Sequence, residues 1–291
     1  MTTTAANTAL RFDPEYLAVV SARDGGGEGP APFKDVYELR AWSEPMLRSV
    51  LKAQPWPETV LETRIPFKSH DGQNIDLVRF ATQEMADASE PQGAVVYFPD
   101  GLGAEDVYFG LRHLSEHARE WNVDPVNIVI MGDSAGAGIA AGVALIARDR
   151  GLSPGLRKQI LVYPMLDDRT DVPETAGHLK FLAWNTNDNR LAWGAVLGAK
   201  AGDPAAEVSL YAAPGRARVE DLRGLPPTYI DVGGLDLFRD ECIEYAAKLS
   251  KADVEVEFHM WPGLPHGFES APGIRWVERA LEARNEAIKR L

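Results

Sequence analysis

Two rhythms of apolar and polar positions alternate along the chain, one at helical spacing and one in short apolar runs. Asp13 and Pro14 supply a cap and first turn, and Glu15, Tyr16, Leu17, Val19 and Val20 continue them as a helix. A second helix is predicted from about Lys34 through Tyr37, Leu39, Trp42, Met46, Leu47 and Val50 to Leu51. Between them, Asp24-Gly25-Gly26-Gly27-Glu28-Gly29-Pro30 follows no strand and precedes no Lys-Ser/Thr, so it reads as a flexible linker and not a phosphate loop. Residues 59–68 and 74–82 alternate in polarity across His70-Asp71-Gly72, which predicts an antiparallel hairpin. Met85 to Gln92 reads as a polar loop, and Ala94 to Phe98 as a short buried strand ended by Pro99-Asp100-Gly101. Residues 104–121 form an amphipathic pattern with Val107, Tyr108, Leu111, Leu114 and Trp121 on one side. Asp124-Pro125 then turns the chain into a strand.

That strand, Ile128-Val129-Ile130-Met131, runs straight into Gly132-Asp133-Ser134-Ala135-Gly136, and a small-residue helix follows from Ala137 to Ala147. Further buried strands are predicted at Gln159–Tyr163, Thr228–Val232 and Val254–Trp261. Helices are predicted around Leu191–Leu197, through Ile243, Ala246 and Leu249, and over residues 272–291, with loops at 167–183 and 262–268. Strands alternating with helices imply a mostly parallel sheet covered on both faces.

Composition narrows the partners. A formal net charge of -13 argues against nucleic acid or an anionic membrane, which need clustered Lys and Arg. No apolar run reaches spanning length, and Met1 to Asn7 has neither a basic nor an apolar region of a secretory signal. The single Cys242 permits no internal disulfide and fits a buried helix position. These features lead to the expectation of a cytoplasmic protein that acts on small molecules.

The Gly-x-Ser-x-Gly turn between strand and helix has the form of a nucleophile elbow. Small residues are needed because the serine sits on a strained corner. The Ala135 N–H, at the helix start, points to where an oxyanion would grow. A serine hydroxyl needs a base, and the base needs an orienting group. Such groups collect at the carboxyl ends of strands. Three strand ends offer Ser134, Asp236 and His266, in that chain order. Asp236 follows a strand and Gly233-Gly234, where an N-cap role for the next helix is the competing reading. His266 lies after the last strand between Gly263 and Gly267. His113 and His117 share a helix face at i and i+4. No third ligand is evident for a metal, so they read as a solvated face, and no metal or other cofactor is expected. His259 falls in a strand, His70 in a turn, and His178 in a loop where it could line a pocket.

These residues resemble the α/β-hydrolases of the hormone-sensitive-lipase type, also called bacterial family IV esterases. The resemblance is carried by Gly132-Asp133-Ser134-Ala135-Gly136, Tyr163-Pro164-Met165-Leu166-Asp167-Asp168-Arg169, Asp236-Leu237-Phe238-Arg239-Asp240-Glu241 and His266-Gly267-Phe268. It implies an α/β-hydrolase fold and hydrolysis of small to medium carboxylic esters through an acyl-serine, with no cofactor. It further implies a catalytic domain over residues 56–177 and 201–291, with a cap made of helices in residues 1–55 and a second segment at 178–200. Asp133, Trp42, Phe181, Trp184 and Trp193 would then bind substrate, with Phe12 and Tyr16 as further apolar lining. A homodimer through the last strand and helix is plausible on this likeness alone.

One departure stands out. The family carries His-Gly-Gly-Gly after the strand equivalent to Ala94–Phe98, and its N–H groups supply most of the oxyanion hole. Here the strand ends in Pro99-Asp100-Gly101-Leu102-Gly103. The helix and strand that come next in the family have no room, which implies the loss of about 30 residues, one strand fewer, and a gap or altered pairing in the sheet. Two readings follow: Gly101 and Gly103 supply substitute donors beside Ala135, or the hole is impaired. In the second reading the chain is a ligand-binding or interaction protein on a hydrolase fold.

Overall fold

Two separate sheets carry the chain in the computed structural model, which describes residues 9–24, 32–53, 57–98, 103–173 and 175–290. The glycine-rich linker at 25–30, the first seven residues and Pro99–Leu102 lie outside the described residues. β1 (Val60–Lys68) and β2 (Asn74–Thr82) form the expected antiparallel hairpin, with Val60 opposite Thr82 and Lys68 opposite Asn74. The second sheet contains β3 (Gln92–Phe98), β4 (Val123–Asp133), β5 (Lys158–Val162), β6 (Thr228–Gly233) and β7 (Val256–Trp261), parallel and in chain order. Gln159 to Val162 and every residue of β6 are buried. That matches the unbroken apolar runs of the sequence, because a central parallel strand is covered on both faces.

The helices are α1 (Pro14–Asp24), α2 (Val36–Ala53), a one-turn α3 (Gln83–Ala86), α4 (Ala104–Glu116), α5 (Ser134–Asp149), α6 (Thr186–Leu197), α7 (Arg239–Lys251) and α8 (Arg275–Lys289). Three sequence expectations are corrected. The 85–92 loop begins as α3, because the Thr82 hydroxyl accepts the Met85 N–H at 3.1 Å and caps a turn. The 104–121 helix ends at Glu116; Ala118–Trp121 is a 3₁₀ turn stopped by left-handed Asn122 at φ 55°. Asp124-Pro125 lies within the span of β4. Gln92 pairs with Val123 and Ala94 with Ile128, so the intervening residues bulge. The Asp124 carboxylate accepts the Val126 N–H at 3.2 Å and the Asn127 amide at 2.6 Å and so fixes that bulge.

The hairpin does not pair with the five-stranded sheet. It rests on α4 instead. The Phe67 ring stacks on His113 with centroids 5.6 Å apart, and it covers Gly110, where a Cβ would come within 3.1 Å of it. The Ser69 hydroxyl and His70 both reach the Asp106 carboxylate. Asn122 donates to the carbonyls of Met85 and Ala88 at 3.2 and 2.9 Å and ties down the chain after β2. Among the described residues, no strand pairs with the outer edge of β3, where Tyr97 is 51% exposed.

The segment after β5 is fixed by two buried carboxylates. Asp168 takes a bidentate pair from Arg216, at 2.6 and 2.7 Å, and the Gly202 N–H at 2.8 Å. Glu241 of α7 accepts the Leu166 N–H at 2.7 Å and the Thr170 hydroxyl. Burial is the main influence on Glu241, and it pushes the carboxyl up to about 8 against those two hydrogen bonds. Cys242, next to it, is buried on the same helix, as the sequence led us to expect.

Two predictions follow from this packing. Phe67→Ala should cost about 3 kcal/mol and release the hairpin first, read as faster proteolysis near residue 70 while the five-stranded sheet keeps its protection. For Glu241, the folded value of about 8 lies above the ordinary 4.5, so its stabilising effect is complete below pH 4.5 and is lost as pH rises through 8. Glu241→Gln should therefore gain on the parent as pH rises, in melting curves taken from pH 5 to 9. Glu241→Ala should lose about 2–3 kcal/mol near pH 5, because the Leu166 N–H loses its partner, and the loss should shrink as pH rises.

Candidate active site

The carboxyl ends of β4, β5, β6 and β7 lie side by side, with Asp133 opposite Val162, Val162 opposite Asp231, and Gly233 opposite Trp261. Three of them, β4, β6 and β7, each hand one residue to the same place. β4 delivers Ser134 as the first residue of α5, with φ at 53°. A Cβ on Gly132 would lie 2.4 Å from the Gly136 carbonyl, so the strand and helix cross with space for hydrogen alone. The Ser134 carbonyl accepts the Met165 N–H at 3.0 Å, which links the corner to the exit of β5.

β6 and β7 deliver the other two residues through loops that are stitched together. The Gly234 N–H donates to the Trp261 carbonyl at 2.7 Å, and the Leu235 N–H to the Leu264 carbonyl at 2.9 Å. A Cβ on Gly233 would lie 2.3 Å from that same Leu264 oxygen. The close approach puts Asp236 and His266 in contact: His266 Nδ1 lies 2.8 Å from Asp236 Oδ2, and His266 Nε2 lies 2.9 Å from Ser134 Oγ. The tautomer with a proton on Nδ1 satisfies both bonds, since it donates to the carboxylate and accepts from the hydroxyl. Asp236 is fully buried, and its second oxygen accepts the Phe238 N–H at 2.9 Å. Thus Asp236 does form a local capping-type bond, but its other oxygen faces His266.

Burial is the largest influence on His266 and lowers its pKa, but the charge and hydrogen bond of Asp236, with Glu269 and Asp133 farther off, outweigh it and leave the imidazole above the ordinary 6.5. Aromatic edges confine the ring: Tyr163 at 4.6 Å and Phe238 at 5.2 Å between centroids, with Trp184 at 6.5 Å.

The remaining sequence candidates are spread more widely. Ala135 is the second residue of α5, so its N–H has no acceptor within the helix and faces the corner. Gly103 is the residue before α4, and Gly101 lies outside the described residues. Asp133 accepts a hydrogen bond from the Tyr97 hydroxyl, a pairing with no signature in the sequence. Phe181 meets Phe12 edge-on at 5.0 Å. Trp193 is buried on α6. Trp42 is 46% exposed and packs on Phe33, whose carbonyl accepts the Asn187 amide at 3.1 Å, so the N-terminal helices touch the 178–197 segment. α1 in turn sits on the loop after β7 through the Asp13 N–H to the Gly263 carbonyl, at 2.9 Å.

His178 is buried in the 178–197 segment. Burial and then Arg239 lower its pKa, and Asp240 and Asp236 oppose them. His113 and His117 are half-buried in a stack with Phe67 and Trp121, with 4.2 Å between the two imidazoles, so they are not the solvated face that their spacing suggested. Among the described residues, His70, Asp71 and Asp106 form the group whose atoms could meet on a metal ion; it is surface-exposed on the hairpin turn and α4.

The chain is similar to other known proteins. A family described as having the alpha/beta hydrolase fold matches residues 98–270. Esterase LipI of Mycobacterium tuberculosis is 37% identical over 201 residues, which cover 65% of this chain and 57% of that protein. Carboxylesterase NlhH of the same organism is 36% identical over 201 residues, covering 66% and 59%. The chain thus spans a little under three fifths of the length of these curated relatives. A solved structure named Bacterial Heroin Esterase is 28% identical, with a TM-score of 0.84 over 96% of this chain and 98% of that one. No helix among the described residues is long and apolar enough to cross a membrane. By the family match over more than half its length, the chain belongs to the α/β-hydrolase fold family, and the hormone-sensitive-lipase likeness of its motifs stands with it.

Proposed function

We propose that this chain is a serine carboxylesterase in which Ser134 is the nucleophile, His266 the general base and acid, and Asp236 the group that orients and stabilises the imidazole. The hydrogen-bonded series from Ser134 Oγ to His266 Nε2 at 2.9 Å, and from His266 Nδ1 to Asp236 Oδ2 at 2.8 Å, carries the reading. The esterase names of its relatives support the same chemistry.

In this mechanism His266 Nε2 takes the hydroxyl proton as Ser134 Oγ bonds to the ester carbonyl carbon. The carbonyl oxygen gains the negative charge and accepts the Ala135 N–H, with the positive end of α5 behind it. His266 returns the proton to the departing alcohol oxygen, which leaves an acyl group on Ser134. Water then loses a proton to His266 as it attacks the acyl carbon; the bond to Ser134 Oγ breaks, His266 returns the proton to that oxygen, and the carboxylic acid leaves. Asp236 stays ionised throughout and balances the imidazolium. Gly103, the residue before α4, and Gly101, which lies outside the described residues, are the proposed donors of a second oxyanion bond. The helices of residues 1–55 and the segment 178–200 act as the cap. Phe181, Trp184 and Trp193, with Trp42 at the rim, supply apolar surface for a small to medium acyl group, and Asp133 borders the corner.

Hydrolysis of p-nitrophenyl butyrate should be measured for the parent and for Ser134→Ala and His266→Ala. Each variant should lose about 10⁴-fold or more in kcat while remaining folded. Turnover in Ser134→Ala close to that of the parent would refute the assignment, and loss in His178→Ala with retention in His266→Ala would move the base to His178. Activity should also fall on the acid side. The base form of His266 is neutral, and its pKa lies above 6.5, so the acid midpoint of kcat/KM should lie above 6.5 as well.

A further inference from the structure

The mechanism above uses one carboxylate beside the imidazole, yet a second is built into the same loop. Glu269 lies three residues after His266, on the 3₁₀ turn Phe268–Ser270. One of its oxygens, Oε2, accepts the Tyr163 hydroxyl at 3.1 Å, and Tyr163 is the residue whose ring edge meets His266. Its other oxygen takes Arg284 of α8. Arg284 Nε is in turn bonded to Asp231 of β6 at 2.8 Å, where the Trp261 indole also donates, at 3.0 Å. The guanidinium lies over the rings of Tyr163 and Phe268, at 5.6 and 5.3 Å.

Two carboxylates thus share one guanidinium. Asp231 and Arg284 are almost fully buried and Glu269 is 27% exposed; two carboxylates on one guanidinium leave one negative charge in excess on the side where Glu269 reaches Tyr163. Tyr163 is held against His266 in a left-handed backbone, at φ 33°, an uncommon conformation for an aromatic residue. It is kept there by its N–H to the Asp231 carbonyl, at 2.7 Å, and by the Glu269 bond.

We propose that Glu269 is a positioning residue for His266: it fixes Tyr163 against the imidazole, and its excess charge, held in place by Arg284, favours the protonated ring formed during acyl transfer. Among the described residues, other charged or titratable groups also flank the ring. Ser134 and Asp133 face it from the β4–α5 corner, and Asp236 from the β6 loop. Tyr163 faces it from β5, and Arg284 stands behind Glu269 on α8. His178 feels the charges of Arg239, Asp240 and Asp236. From α1, Arg23 reaches the Ser270 carbonyl at 3.2 Å, beside Glu269. The effect on turnover rests on the esterase reading, whereas the effect on the imidazole's titration does not.

The test is an NMR titration of the His266 ring in the full chain, alongside the pH profile of p-nitrophenyl butyrate hydrolysis. Glu269→Gln keeps an oxygen for Tyr163 and Arg284 but removes the charge. His266 should then titrate at lower pH, the acid midpoint of kcat/KM should move down with it, and the plateau kcat should fall with little change in KM. Glu269→Asp, which keeps the charge, should restore the titration towards the parent value. If the Gln variant does not fold, Glu269→Met leaves Arg284 paired with Asp231 and should give the same downward shift. An unchanged His266 titration in a folded charge-removing variant would overturn the proposal, as would a shifted titration with unaltered kcat in an active enzyme. A shifted titration in a chain whose parent shows no esterase activity would refute the esterase reading and leave the coupling of Glu269 to His266 in place.

Discussion

Everything at this site depends on how closely β4 and α5 can cross. With a Cβ-to-carbonyl distance of 2.4 Å at Gly132, no side chain fits in that corner, and Ser134 is forced to φ 53°. Such a conformation costs on the order of 1–3 kcal/mol and persists only where the surroundings over-determine it. Here they do. Ile128, Val129 and Ile130 are buried in the strand before the corner, and α5 is buried along most of its length after it. The serine cannot relax without pulling one of these elements out of the core. Rigidity of the sheet is thereby converted into the aim of one hydroxyl.

The same geometry explains the electrostatics. Strand ends that converge bring their polar residues together, and three of those around His266 are acidic: Asp133, Asp236 and Glu269. Buried carboxylates are costly unless bonded. Asp236 therefore takes a backbone N–H as well as the imidazole, while the partly exposed Glu269 is held between Tyr163 and Arg284. What remains is a ring held where a positive charge is welcome. That suits the acid and base role proposed for His266.

The parts of this arrangement that were legible in the sequence are those with a local signal. Ile128–Met131, Ile160–Val162 and Thr228–Val232 read as strands because central parallel strands are apolar on both sides. The elbow was readable because its crossing demands small residues, and Asp236 and His266 because they follow strand ends in a fixed chain order. Contacts that join distant segments left no such trace. The Tyr97 hydroxyl on Asp133 spans 36 residues and Tyr163 on Glu269 spans 106, and neither pairing follows from periodicity. The docking of the hairpin on α4 and the stacking of His113 on Phe67 were hidden for the same reason. At spacing i and i+4 two histidines look solvated until a separate strand covers them. The donor set on the β3 side was marked by the absence of a motif, and an absence does not specify which backbone groups replace it.

The order of strands in the five-stranded sheet is the order of strands in the chain. Each new strand joins the edge left by the one before it, so the sheet grows in one direction without any later strand inserting between earlier ones. The triad follows this growth: Ser134 comes with the second strand of the sheet, Asp236 after the fourth, and His266 after the last. A chain still leaving the ribosome therefore frames Ser134 before His266 has been made. In the proposed mechanism the base therefore joins the nucleophile only once the loop after the last strand has been made, so reactivity is the last property the chain acquires.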